Sequence, residues 1–157
     1  MEALIQIVTG GLGSVGFGIL FNLRGRKLLI TTLGGVISWS VFLLLAHWIP
    51  SEAMRYFLSM VAISVYAEIF ARVEKTPTTT FLVPSVIPLI PGSALYYTMN
   101  YALNEEWGLF AQKAFYTLEL ALSLALGILA VTTATRLLTA LLRYIKKNKD
   151  THMHHSV

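Results

Sequence analysis

In a chain of 157 residues, 55% apolar and 13% charged, there is too little polar surface for water on every side, since soluble domains carry roughly 25% charged residues. The net charge of +4 does not point to nucleic acid, because the cations flank apolar blocks instead of lying among exposed aromatics. Cysteine is absent, which excludes disulfides, thiol catalysis and thiolate-ligated metals.

The lipid bilayer is the solvent this composition fits, with a mean hydropathy of +0.66. A helix needs ~20 mostly apolar residues to cross ~30 Å of hydrocarbon. Five segments qualify, at about 3–23, 28–49, 53–73, 79–103 and 114–142. The expectation is an all-α integral membrane protein with five transmembrane helices. They form one unit over residues 1–145, followed by a basic cytoplasmic tail over 146–157.

The first segment opens with Glu2 instead of a basic n-region, so it reads as a retained span and not as a cleaved signal. It contains Gly11-Leu12-Gly13-Ser14-Val15-Gly16, which matches the dinucleotide fingerprint in letters alone. The strand, soluble helix and distant acid that the fingerprint requires are missing. Gly10, Gly13, Gly16, Gly18 and Ser14 are instead small residues that let helices approach closely in lipid. No other cofactor motif is visible, and no cofactor is expected. The second segment carries Thr31, Thr32, Gly34, Gly35, Ser38 and Ser40, which can pack backbones closely or line a hydrophilic path. Trp39, far from either end, reads as a packing residue.

The third segment contains Glu68 with Arg72 four residues on, on the same helix face. A charge at the centre of a span costs ~2.5–3.5 kcal/mol even on the lenient insertion scale. Glu68 should therefore face protein or a wet cavity, with Arg72 as partner. A plain ion pair at a helix end near Lys75 is the alternative. Glu68 is a candidate for proton coupling, with Arg72 tuning it.

Residues 76–104 carry no charge, yet Pro84, Pro88, Pro91 and Gly92 interrupt them. Each proline removes a backbone donor, which frees the carbonyls of Thr80, Pro84 and Ile87. Pro91-Gly92 falls at the middle of the span, where irregular backbone is tolerated only if protein buries it or it lines a cavity. Ser93 is a natural N-cap for a second half-helix, whose positive end would suit a carboxylate. Pro88, Pro91, Gly92 and Ser93 are thus the candidate substrate-binding residues. In the fifth segment Glu119 and Arg136 bracket 16 uncharged residues, about 24 Å of helix. Arg136 can snorkel to an interface. Glu119 has a short stem, so it remains open as a possible functional residue. The histidines of Thr151-His152-Met153-His154-His155 follow a lysine-rich tail that reads as unstructured, so a metal-site reading is weak and no metal is expected.

Loop charge supplies orientation. Arg24, Arg26 and Lys27, then Arg72 and Lys75, then the basic tail fall on one side if there are five spans. Glu2, Glu52, Glu105 and Glu106 fall on the other. The positive-inside rule puts the N-terminus outside and the C-terminus in the cytoplasm. Trp48, Trp107, Tyr101 and Tyr144 lie near span ends, as interfacial aromatics do.

Four stretches carry a resemblance. They are G-F-x-I-L-F-N at Gly16–Asn22, A-E-x-x-A-R at Ala67–Arg72, K-x-P-x-T-x-F-L-V-P at Lys75–Pro84 and I-P-L-I-P-G at Ile87–Gly92. With them the chain resembles the threonine/serine exporter family, in particular its small membrane subunits, from residue 10 to about 135. The resemblance implies a bacterial inner-membrane secondary exporter of L-threonine and L-serine, driven by the proton gradient and not an enzyme. It also implies a larger membrane subunit of the YjjP type as partner, since this chain corresponds to half of a full-length member. A split relative suggests a dicarboxylate, succinate, as alternative cargo. A structural role, completing a bundle whose site lies in the larger subunit, is the other alternative. Five spans give little wall around a pathway, so that partner or a homo-oligomer is expected.

Overall fold

The computed structural model describes the backbone of residues 1–154 and the side chains of residues 1–145. Among the described residues all regular structure is helical: α1 (Glu2–Leu20), α2 (Arg26–Leu45), α3 (Glu52–Val73), α4 (Thr79–Val86), a 3₁₀ turn (Ile87–Leu89), α5 (Gly92–Leu103) and α6 (Trp107–His154). Helices α1, α2, α3 and α6 are each long and apolar enough to cross a membrane. The pair Thr79–Leu89 and Gly92–Leu103 passes as one span broken by a 60° bend, which brings the number to five. At about 1.5 Å per residue, the 48 residues of α6 overrun the hydrocarbon thickness more than twofold. Its backbone stays helical through His154, where the sequence suggested an unstructured tail. The expectation for His155 lies outside the described residues.

Helix α1 packs on α2, α2 on α3 and α4, and α3 on α6, while α5 lies against α6. Helices α3 and α6 run in the same direction, since Glu52 meets Tyr116 at one end, Met60 meets Gly127 in the middle, and Glu68 and Arg72 share a cavity with Thr135 and Arg136 at the other. Arg26 pairs with Glu74 at 3.0 Å, so the two basic connections, α1–α2 and α3–α4, meet at one end of the bundle.

The core is small and polar where α1, α2 and α4 cross. Ser14, Thr31, Ser38 and Ser85 are fully buried, whereas Leu4, Leu12, Leu29, Leu33, Leu122 and Leu126 face outward. That inversion suits lipid, where apolar burial supplies little drive and close backbone packing holds helices together. Gly35 opposes Ser14 and Gly34 opposes Ser85, each so closely that a Cβ would collide. The hydroxyls of Thr31, Thr32, Ser38 and Ser40 donate to carbonyls of their own helix, so α2 uses them for packing. Trp39 stacks on Phe42 and donates to Gln6.

Helices α1, α3 and α5 end alike. Asn22, Lys75 and Glu105 adopt left-handed φ of 59°, 52° and 59°, and the next amide in each case reaches back five residues, Leu23 N–H to Gly18 O, Thr76 N–H to Ala71 O and Glu106 N–H to Tyr101 O. These bonds satisfy carbonyls that a helix end leaves bare. Helix α3 starts on Ser51, whose side chain accepts from the Met54 amide.

Candidate functional site

The break in the fourth span sits at mid-height. Pro88 packs so closely on Gly10, halfway along α1, that a Cβ there would lie 3.3 Å from Pro88 Cβ. Helix α4 continues through buried Pro84, as transmembrane helices allow when neighbours compensate. The carbonyl of Ile87, expected to lose its partner, accepts from the Ile90 amide at 3.2 Å. A tightened 3₁₀ turn recovers that bond. Helix α5 begins at Gly92 with Pro91 as its cap and no side-chain cap bond. Ser93 therefore lies inside the first turn and is not the N-cap, because the fixed φ of proline already sets the entry into the helix. Pro91 is buried, whereas Gly92 and Ser93 are exposed on the outside of the bundle.

A cavity of about 590 Å³ lies between α3 and α6 at the end that carries the basic connections. Helix α3 supplies Glu68 and Arg72, the α3–α4 connection Pro77 and Thr78, α4 Thr79 and Leu82, and α6 Thr132, Thr135, Arg136, Thr139 and Arg143. Arg72 Nη2 pairs with Glu68 Oε2 at 3.3 Å, and Thr78 Oγ1 donates to Glu68 Oε1 at 3.2 Å. The carboxylate is thus held at both oxygens and mostly shielded, with 18% of its side chain exposed. Arg136 and Arg143 have no carboxylate partner among the described residues. Thr135 and Thr139 donate their hydroxyls to Val131 and Thr135 carbonyls on α6 itself, which leaves oxygen lone pairs facing the space. Three guanidiniums against one carboxylate give the cavity an excess of positive charge. Chemically it can hold an anion by charge-assisted hydrogen bonds.

The structure brings Glu68 and Arg72 together and adds Arg136 to them. It does not bring Pro88, Pro91, Gly92 or Ser93 to this cavity. Leu82 is the nearest contributor from that segment, nine residues before Pro91, or about 13 Å of helix. Glu119 is exposed on α6 and stands 17 residues from Arg136, about 25 Å along the axis. Sequence reasoning treated Arg136 as a snorkelling residue and passed over Thr132, Thr135, Thr139 and Arg143. The available signal was their spacing, three and four residues apart along one face of α6.

An all-helical bundle with apolar outer faces, up to five membrane-length spans and a charged cavity at one end is a multi-pass membrane protein. Its sequence defines it further: the chain belongs to the threonine/serine exporter family, whose model, described as Threonine/Serine exporter, ThrE, matches residues 6–134. This is a family of transporters. The match includes Glu68, Arg72 and the whole broken span and stops just before Arg136. No curated protein and no solved structure matches the chain significantly.

Proposed function

We propose that this chain is the membrane subunit of a secondary exporter for small carboxylate-bearing metabolites, L-threonine and L-serine first, in a bacterial inner membrane. The observation that carries the reading is the cavity between α3 and α6, in which Arg136 and Arg143 have no carboxylate partner among the described residues while Glu68 is held by Arg72 and Thr78. Family membership supports export as the activity. The guanidiniums receive the substrate carboxylate, Glu68 carries the coupled proton, and the bend at Pro88–Ser93 is where the fourth span rearranges around the substrate. The N-terminus lies outside and the cavity opens to the cytoplasm, a reading supported by the basic residues gathered at the cavity end. A larger YjjP-type membrane subunit supplies the remaining wall of the pathway.

The test is efflux of labelled threonine, serine and succinate from preloaded cells that make this chain, the larger subunit, or both. Export that needs both chains, for one substrate class, is the expected outcome and names the cargo. Equal export of nothing in all three strains removes the transport reading. Export by the larger chain alone reduces this one to a structural partner.

A further inference from the structure

The end of the bundle opposite the Glu68 cavity carries Glu2, Glu52, Glu105 and Glu106, and it also carries the basic side chains Arg55 and Lys113. Both are drawn to one spot. The Tyr116 hydroxyl donates to Glu52 Oε2 at 2.6 Å, and Lys113 Nζ stands 4.5 Å from the Tyr116 ring centroid and 6.0 Å from that of Tyr97. Arg55 lies over Phe42 at 5.1 Å, and its buried Nε has no hydrogen-bond partner. Neither cation pairs with a carboxylate among the described residues. Beside them opens a cavity of about 320 Å³ lined by Tyr101, Leu109, Gln112, Lys113 and Tyr116, large enough for a small metabolite. Glu105 and Glu106 do not line it.

The chemistry of this cavity is one-sided. Lys113 brings an ammonium with three donors, Gln112 a carboxamide and Tyr101 a phenol, none of them bonded to another side chain. Glu52, the neighbouring carboxylate, is already occupied by Tyr116. A cluster of donors around a cation held over two aromatic rings suits an anion of modest size, and a carboxylate can take both the charge and the hydrogen bonds. The apolar wall of Leu109 and the ring of Tyr116 accommodate a short carbon chain.

Position gives the cluster its meaning. Lys113 and Arg136 lie on the same helix, 23 residues apart, which is about 34 Å at ~1.5 Å per residue and close to the ~30 Å thickness of bilayer hydrocarbon. Helix α6 thus presents a donor-rich cavity at each end, one membrane thickness apart. We infer that the Lys113 cavity is a second carboxylate site, on the opposite membrane face from the Glu68 cavity, where the exported substrate is held on leaving. The assignment of exported substrate rests on the exporter reading above, whereas binding of a carboxylate at Lys113 stands on the cavity itself.

Equilibrium dialysis of labelled succinate and labelled L-threonine against the full chain in lipid nanodiscs tests it. The expected result is two sites per chain for at least one probe. Lys113→Gln weakens one site tenfold or more, Lys113→Arg keeps it, and Arg136→Gln weakens the other site tenfold or more while leaving the Lys113 site intact. Loss on Arg136→Gln with unchanged binding in Lys113→Gln overturns this inference and leaves the exporter reading standing. Loss on Lys113→Gln with unchanged binding in Arg136→Gln supports the site and overturns the Glu68 cavity as the substrate site. Binding of neither probe to the unaltered chain overturns both. If Lys113→Gln loses both sites through misfolding, Tyr101→Phe decides, because it removes one hydroxyl. A several-fold weaker site then supports the inference, and unchanged binding overturns it.

Discussion

Replacing Glu68 by Gln separates a proton-coupling residue from a helix-end ion pair, because the two roles differ in energy and in readout. The pair with Arg72 is of the i,i+4 type, and 57% of the Arg72 side chain is exposed. Solvent screens such pairs to about 0.3–0.5 kcal/mol. Glutamine keeps an oxygen where Thr78 donates, so that hydrogen bond survives. The total loss is therefore about 0.5 kcal/mol, a factor of about two in the folded-to-unfolded ratio, or a fall in melting temperature of no more than ~2 °C. E68Q should accumulate and assemble like the unaltered chain. Transport behaves differently, since among the described residues the other charged groups lining the cavity are cations: Arg72 from α3, and Arg136 and Arg143 from α6. Without the carboxylate the cavity has no acid to load and release a proton, and its positive charge grows by one. Efflux from preloaded cells over a range of external pH should lose its pH dependence, with substrate held more tightly. An E68Q exporter with the unaltered pH profile would remove Glu68 from the mechanism. An E68Q chain that fails to assemble would refute the energetic argument instead.

Arg136→Gln removes a charge-assisted bond to the substrate carboxylate, of the order of 1.5–3 kcal/mol. Half-saturation of efflux should rise roughly 10- to 150-fold, as read from efflux at graded internal substrate concentrations. Gly35→Ala forces a Cβ onto Ser14 and should cost about 1–3 kcal/mol as overpacking. Thermal unfolding in detergent should show the loss, and Ser14→Gly in the same chain should recover most of it. Alanine across Pro88–Ser93 removes the proline constraints that bend the fourth span by 60°. If the break serves the transport cycle, the altered protein assembles with changed substrate affinity in the same efflux assay. Lost assembly in a pull-down of the larger subunit would assign the break to packing.

The helices were legible because each span is a long apolar run, and lipid demands that such a run pair its own backbone. The break was legible because prolines cannot donate, although its detail was not: Pro91 caps α5 and Ser93 lies within it, a choice made by proline's fixed φ over a serine side chain. Glu68 and Arg72 were legible as neighbours because a helix turn alone brings them together. The cavity they enter was not. It forms only where α3 seats on α6, more than 60 residues further along the chain, and no local pattern reports that contact. The place of Arg136 on the cavity was hidden for the same reason: a basic residue near a span end looks alike whether it snorkels to lipid headgroups or lines a cavity. Glu119 shows the converse, since it is exposed on α6 and has no ion-pair partner among the described residues.

Between the two polar ends of α6 the seam with α3 is closed. A Cβ at Gly127 would fall 2.7 Å from Met60 Cβ and 3.0 Å from the Phe57 carbonyl oxygen, so glycine is what lets the helices touch there. Met60, Ile63 and Leu120 are buried around that point. The outward groove beside it, lined by Phe57, Leu126, Ala130, Thr133 and Ala134 among others, is apolar apart from the Thr133 hydroxyl. While α3 and α6 stay in contact, an anion leaving the Glu68 cavity along this groove meets mostly apolar surface. Ser64 stands four residues after Met60 and four before Glu68, hence on the same stripe of α3, and it is buried as Met60 is. The covered stripe of α3 therefore runs up to the last turn before the Glu68 cavity, and the polar lining begins only where that stripe ends.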